Sequence, residues 1–158
     1  MEVIDDFLPS YQFKELQSLL MGMDFPWFYN DSICYEGDGL SQYKHTFYKR
    51  TTDMESNYLS IFNYCLSLLR IKELWRIKAN ARPKSLFKRF SCYHRDDFPC
   101  STTAILYINT NNGYTKFKKG GKVKSVANRM LIFDSQLEHA GVTCTDALRR
   151  VVVNFNYD

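Results

Sequence analysis

Apolar residues first recur at helical spacing at Phe13, Leu16, Leu19 and Leu20. Pro9 and Ser10 just before them supply a stop and an N-cap, and Gly22 supplies an end, so a helix is predicted there, with residues 3–8 as a strand ahead of it. A second helix is predicted over residues 55–70, where Leu59, Phe62, Leu66 and Leu69 form an apolar stripe suited to core packing. Between the two helices, residues 24–53 mix aromatics with Asn, Asp, Gly and Ser, as loops alternating with short strands do, and residues 43–48 are the best strand among them.

After the second helix the texture changes to short β-type runs at residues 75–81, 86–93, 102–109, 114–117, 122–126, 130–133 and 151–155. The helices precede the strands instead of alternating with them, and no repeat or linker interrupts the chain. A mostly β domain with supporting N-terminal helices follows, its strands in a meander or jelly roll. Residues 116–124 read as a hairpin with a three-residue turn, pairing Phe117 with Val123 and turning the lysines outward. Those lysines form a solvated face or, in a second reading, a docking patch for an acidic partner.

Composition changes this picture little. A chain of 158 residues fits one domain, and 11 Tyr and 12 Phe favour sheet. The net charge of +4 is mild and does not call for nucleic acid as a partner. The first ten residues lack a basic start followed by an apolar run, and no stretch reaches the length of a membrane span, so a soluble, cytoplasmic protein is expected. The five cysteines, Cys34, Cys65, Cys92, Cys100 and Cys144, show no zinc or thioredoxin-type spacing and are expected to be reduced thiols.

Candidate chemistry rests on the order His94, Asp96, His139, Arg150 in a chain with three histidines. Residues two apart on a strand project from one face, so His94 and Asp96 can converge on one ion. Two imidazoles and a carboxylate on one octahedral face leave three positions open, as non-haem iron(II) needs for a co-substrate and oxygen. Arg150 adds a planar, permanently charged fork that binds a carboxylate in two parallel bonds. Arg149 competes for that role, but it alternates with Val151, Val153 and Phe155, whereas Arg150 shares its face with Val152, Asn154 and Asn156, the more polar set. His45 either lines a substrate pocket or is a hydrogen-bonded core residue among aromatics.

The stretches YHRDDFPCSTTAILYINTNNGYTKF, VANRMLIFDSQLEHAG and RRVVVNFNYD, with IDDFLP, FPWFYNDSICYEGDG, KHTFY and RIKANARP before them, resemble the prolyl 4-hydroxylase-like 2-oxoglutarate/iron oxygenases, above all their small phage-encoded members. The resemblance covers nearly the whole chain. It implies a double-stranded β-helix of the jelly-roll, cupin-like class as a single domain over residues 1–158. Residues 1–80 would supply N-terminal strands and supporting helices, and residues 81–158 the core with the metal site.

It further implies Fe(II), 2-oxoglutarate and O2 as cofactor and co-substrates, with His94, Asp96 and His139 as catalytic metal ligands. Arg150 would hold the distal carboxylate of 2-oxoglutarate, and Tyr107 would share it. Thr115 and Phe117 match a Gly-x-Thr-x-Phe element, although Gly113 is followed by Tyr114 where the family usually has a second glycine. The run before the metal motif, KSLFKRFSCY, is shorter than in larger prolyl hydroxylases. The implied substrate is a protein or peptide side chain, proline first, or a small molecule, met in the host-cell cytoplasm if the protein is viral.

Three other readings fit less well. Nucleobase demethylases carry a second arginine on the last strand where Asn156 stands here. A non-catalytic jelly-roll binding module would have lost a metal ligand. A zinc hydrolase would need the helical His-Glu-x-x-His element, which is absent.

Overall fold

The computed structural model describes residues 1–96 and 98–158. A short strand β1 (Glu2–Ile4) leads into helix α1 (Ser10–Met21), followed by β2 (Phe28–Asn30), β3 (Gln42–Lys49) and β4 (Met54–Glu55). Helix α2 (Asn63–Leu69) then precedes β5 (Leu74–Pro83), β6 (Thr102–Tyr107), β7 (Tyr114–Phe117), β8 (Lys122–Lys124), β9 (Arg129–Asp134), β10 (His139–Val142) and β11 (Arg149–Tyr157).

The strands form two antiparallel sheets. The larger has the order β1-β9-β6-β11-β5-β3-β2, with β4 on β3, and the smaller has the order β10-β7-β8. This is the jelly-roll arrangement expected, with an N-terminal helical layer behind the larger sheet.

Strand alternation sorts the core into two layers. One face of the larger sheet sends Ile77, Ala79, Ala81, Ala104, Leu106, Val151, Val153 and Phe155 against Phe13, Leu16, Leu20, Phe62 and Cys65 of the helical layer. The opposite face sends Ile105, Tyr107, Leu131, Phe133 and Val152 toward Phe117 and Val123 of the smaller sheet. The helices therefore cover the back of the larger sheet and leave the space between the sheets for a site.

Several local expectations change. The second helix is shorter than its apolar stripe, since residues 59–62 wind as a tighter 3-10 turn before α2 and Arg70 ends it in the left-handed conformation. Residues 86–93 do not form a strand. Leu86 and Phe87 are 91% and 81% exposed, and only isolated bridges, Phe90 to Val142 and His94 to His139, join this run to β10. The hairpin turns its lysines outward and buries Phe117 and Val123, but its register pairs Thr115 with Val123 and Lys116 with Lys122. That is a slip of two residues, the smallest that leaves every side chain on its expected face. His45 packs behind the sheet, bonded to the Pro26 carbonyl and the Ser56 hydroxyl among Phe25, Phe47 and Tyr58, and is a core residue.

The expectation of five reduced thiols is corrected for two of them. Cys34 and Cys92 form a disulfide across a Cα–Cα distance of 6.3 Å, whereas Cys65, Cys100 and Cys144 are free and buried. A sequence separation of 58 carries no local signature; the fold itself lays the loop before β3 against the segment that leads to His94. No helix among the described residues is long and apolar enough to cross a membrane.

Candidate metal centre

His139 opens β10, and His94 pairs with it across a two-way bridge in which each backbone N–H donates to the other's carbonyl at 3.0 Å. The bridge brings the two rings to 4.6 Å between centroids. Asp96 follows two residues later, and one donor atom from each of His94, Asp96 and His139 lies within 4.8 Å of the others.

The donor set is oriented from behind. The Nδ1 atoms of His139 and His94 face the carbonyls of Leu137 at 3.0 Å and Cys92 at 3.3 Å. Donation of Nδ1–H to those carbonyls leaves each Nε2 lone pair for an ion. Asp96 accepts from the Arg76 guanidinium at 3.1 Å through one oxygen and from the Thr103 hydroxyl at 2.7 Å through the other. Asn156 completes this support by accepting from Arg76 Nε and donating to Thr103 Oγ1.

Electrostatics keep Asp96 and His139 in their metal-binding forms. Burial pushes the Asp96 carboxyl up, but Arg76, the Thr103 hydroxyl and His139 outweigh it and hold the group below its ordinary value. Burial lowers His139, with His94 adding to the effect against the Leu137 carbonyl, so its imidazole is neutral at physiological pH.

These residues line one end of a cavity of about 370 Å³ between the sheets, and Arg150 lines it farther along β11. Arg150 is 4% exposed; its Nε donates to Ser125 Oγ at 2.8 Å and its Nη2 to Thr115 Oγ1 at 3.2 Å. Its ion pairs with carboxylates number none among the described residues. Arg149 points to the opposite face and donates to the Met21 carbonyl at 2.6 Å. Tyr107 lies behind Arg150, its ring 5.6 Å from the guanidinium carbon and its hydroxyl donating to Thr115 at 2.8 Å. Burial raises the phenol, which stays protonated. Gly113 is required by proximity: a Cβ there would stand 2.7 Å from Arg150 Cδ and 2.8 Å from the Val142 carbonyl oxygen.

Sequence reasoning missed Arg76 and Thr103 behind Asp96 and Ser125 behind Arg150, and named Asn156 and Thr115 without these supporting roles. One signal was available. In WRIKANARP the alternation that buries Ile77, Ala79 and Ala81 necessarily turns Arg76, Lys78, Asn80 and Arg82 toward the cavity.

Known proteins share this architecture. No protein-family model matches the chain, and no curated protein does. Among solved structures, the fold is that of the prolyl hydroxylases and other 2-oxoglutarate/iron oxygenases. An oxidoreductase of the 2OG-Fe(II) oxygenase family from Burkholderia pseudomallei superposes with a TM-score of 0.70 at 10% identity, over 99% of this chain and 84% of that one. A prolyl-4-hydroxylase from Pseudomonas putida gives 0.68 at 14% identity, over 99% and 92%. A prolyl hydroxylase from Trichoplax adhaerens, in complex with a hypoxia inducible factor peptide fragment, gives 0.64 at 16% identity, over 99% and 83%.

Proposed function

We propose that this chain is an iron(II)- and 2-oxoglutarate-dependent oxygenase that hydroxylates a substrate C–H bond. His94, Asp96 and His139 hold the metal, and Arg150 anchors the distal carboxylate of 2-oxoglutarate. One observation carries the reading: a buried guanidinium without a carboxylate partner among the described residues shares a cavity with a facial set of two histidines and one aspartate. A buried cation without a counter-charge is costly, so this arginine is explained by an anionic ligand that joins it. The donor set fits iron(II), with two imidazoles and one carboxylate leaving room for other ligands.

The bound metal, with 2-oxoglutarate and oxygen, supplies the oxidising chemistry, which yields succinate, carbon dioxide and a hydroxylated product. The protein's residues do the rest. Leu137 and Cys92 carbonyls fix the imidazole tautomers, and Arg76 and Thr103 keep the Asp96 carboxylate ionised and aimed. Ser125 and Thr115 hold the Arg150 fork in one orientation, with Tyr107 packed behind it. The apolar layer of Ile105, Phe133 and Val152 limits water at the reacting centre. The peptide in the Trichoplax structure makes a peptide side chain, proline first, the substrate to try.

The test is succinate formation from 2-oxoglutarate with Fe(II) and the purified chain. The Asp96→Ala variant should lose it while melting as a folded protein, and Arg150→Ala should chiefly raise the 2-oxoglutarate concentration required. Full turnover by Asp96→Ala would remove the triad reading.

A further inference from the structure

The inner face of β5 is unusual for the wall of a cavity between apolar layers. Its register against β11 sets Arg82 beside Arg150, Asn80 beside Val152, Lys78 beside Asn154 and Arg76 beside Asn156. The described residues of the cavity wall include five cationic side chains, Arg76, Lys78, Arg82, Arg95 and Arg150, and one carboxylate, Asp96. Arg76 is engaged by Asp96 and Asn156, and Arg150 is assigned to the co-substrate. Arg95 is exposed to solvent, so Lys78 and Arg82 remain as inward cations without an assigned partner.

The Lys78 ammonium makes no hydrogen bond or ion pair among the described residues, and the Arg82 side chain, 6% exposed as a residue, uses one nitrogen on the Gly141 carbonyl. Beside them the buried Arg82 Nε–H has no acceptor among the described residues. Iron(II) and the 2-oxoglutarate dianion cancel each other's charge, so the loaded cavity keeps its cationic excess. Such an excess in a low-dielectric space favours an entering anion and disfavours a neutral one.

We infer that the substrate oxidised at this centre carries a carboxylate, bound in the cavity by Lys78 with Arg82 beside it. This rests on the oxygenase reading for the reaction, but the anion subsite stands on β5 itself. A carboxylate on a slender chain, an acidic side chain or a small acid, can reach between the sheets. Burial lowers Lys78 to about 8, with Arg76 and Lys44 adding to the effect, which is the cost a bound carboxylate would relieve.

The experiment uses the full chain with Zn(II), a diamagnetic and redox-inert stand-in for iron(II), and saturating 2-oxoglutarate in the absence of oxygen. The probes are a Glu-Pro-Glu peptide capped as N-acetyl and C-terminal amide, its equally capped Gln-Pro-Gln counterpart, N-acetylaspartate and inorganic phosphate. Binding is read by calorimetry and by the NMR shift of the Lys78 ε-methylene. A carboxylate-bearing probe is expected to bind at least tenfold more tightly than the Gln peptide and to move the Lys78 resonance. Lys78→Met should abolish that preference and Lys78→Arg should retain it.

Preference for the Glu peptide identifies a peptide source, and preference for N-acetylaspartate a small acid. Equal binding of both peptides with no response to N-acetylaspartate overturns the inference, as does a response to phosphate alone. Failure of Zn(II) and 2-oxoglutarate to bind would instead sink the oxygenase reading, and the Lys78 shift in the metal-free chain would still decide the subsite.

Discussion

Replacing Gly113 with alanine tests whether Arg150 is seated by a close backbone approach. The backbone of Gly113 does not adopt positive φ, so conformational freedom is not what the position requires. The added methyl would lie 2.7 Å from Arg150 Cδ, 2.7 Å from Asn111 Oδ1 and 2.8 Å from the Val142 carbonyl oxygen, all closer than real contacts allow. The Val142 carbonyl is fixed in β10, so the arginine and Asn111 must yield. Overpacking of this kind costs about 1–3 kcal/mol. For a chain of this size the loss corresponds to a fall in melting temperature of roughly 3 °C per kcal/mol.

If the shift breaks one charge-assisted hydrogen bond between Arg150 and 2-oxoglutarate, affinity should fall by about tenfold to a hundredfold. Circular dichroism melts of the apo chain and calorimetric 2-oxoglutarate titrations with Mn(II) would separate the two effects. Gly121→Ala, whose Cβ would meet nothing within 4 Å, is the control and should change neither. A Gly113→Ala protein that melts and binds like the parent would refute the claim that this contact positions the arginine.

Other outcomes follow from the same geometry. Lys78 has a folded value of about 8 against an ordinary 10.5, so the unfolded chain binds more protons between those values and stability should rise with pH across that window. Lys78→Met should lack that rise, a difference of about 1–3 kcal/mol between the two proteins in urea titrations at pH 8 and pH 10; parallel curves would contradict it. Reduction of the Cys34–Cys92 bond, which spans 58 residues, should lower stability by up to about 4 kcal/mol. Melts with and without dithiothreitol measure this, and an unchanged melt after confirmed reduction would count against it. Tyr107→Phe removes the 2.8 Å bond to Thr115 and should cost about 1 kcal/mol in stability. The same variant should weaken 2-oxoglutarate binding a few-fold, because Thr115 also holds Arg150.

Much of the fold could be read from the sequence because its signals are local and periodic. The stripe at Phe13, Leu16 and Leu20 marks α1, and alternation along residues 149–157 separates Arg149 from Arg150 without reference to any partner strand. Features that depend on distant contacts were not legible in this way. Residues 86–93 have β-type composition, but their pairing with β10 is limited to isolated bridges, and Leu86 and Phe87 remain in solvent. Strand β10 itself, HAGV, is too short and too small in side chains to announce a strand, although it carries His139. The support of Asp96 by Arg76 and Asn156 joins three separate segments, and the Cys34–Cys92 bond joins two.

The reciprocal backbone pair between His94 and His139 has a consequence for biosynthesis. A ribosome releases the chain from its N-terminal side, so a nascent polypeptide exposed only as far as residue 138 offers His94 and Asp96 without His139, the third proposed ligand. The bridge that aligns the two imidazoles also needs residue 139. On the proposed oxygenase reading, iron capture would thereby be deferred until the smaller sheet has its last strand, and metal uptake by a growing chain would serve as a clock for completion of that sheet.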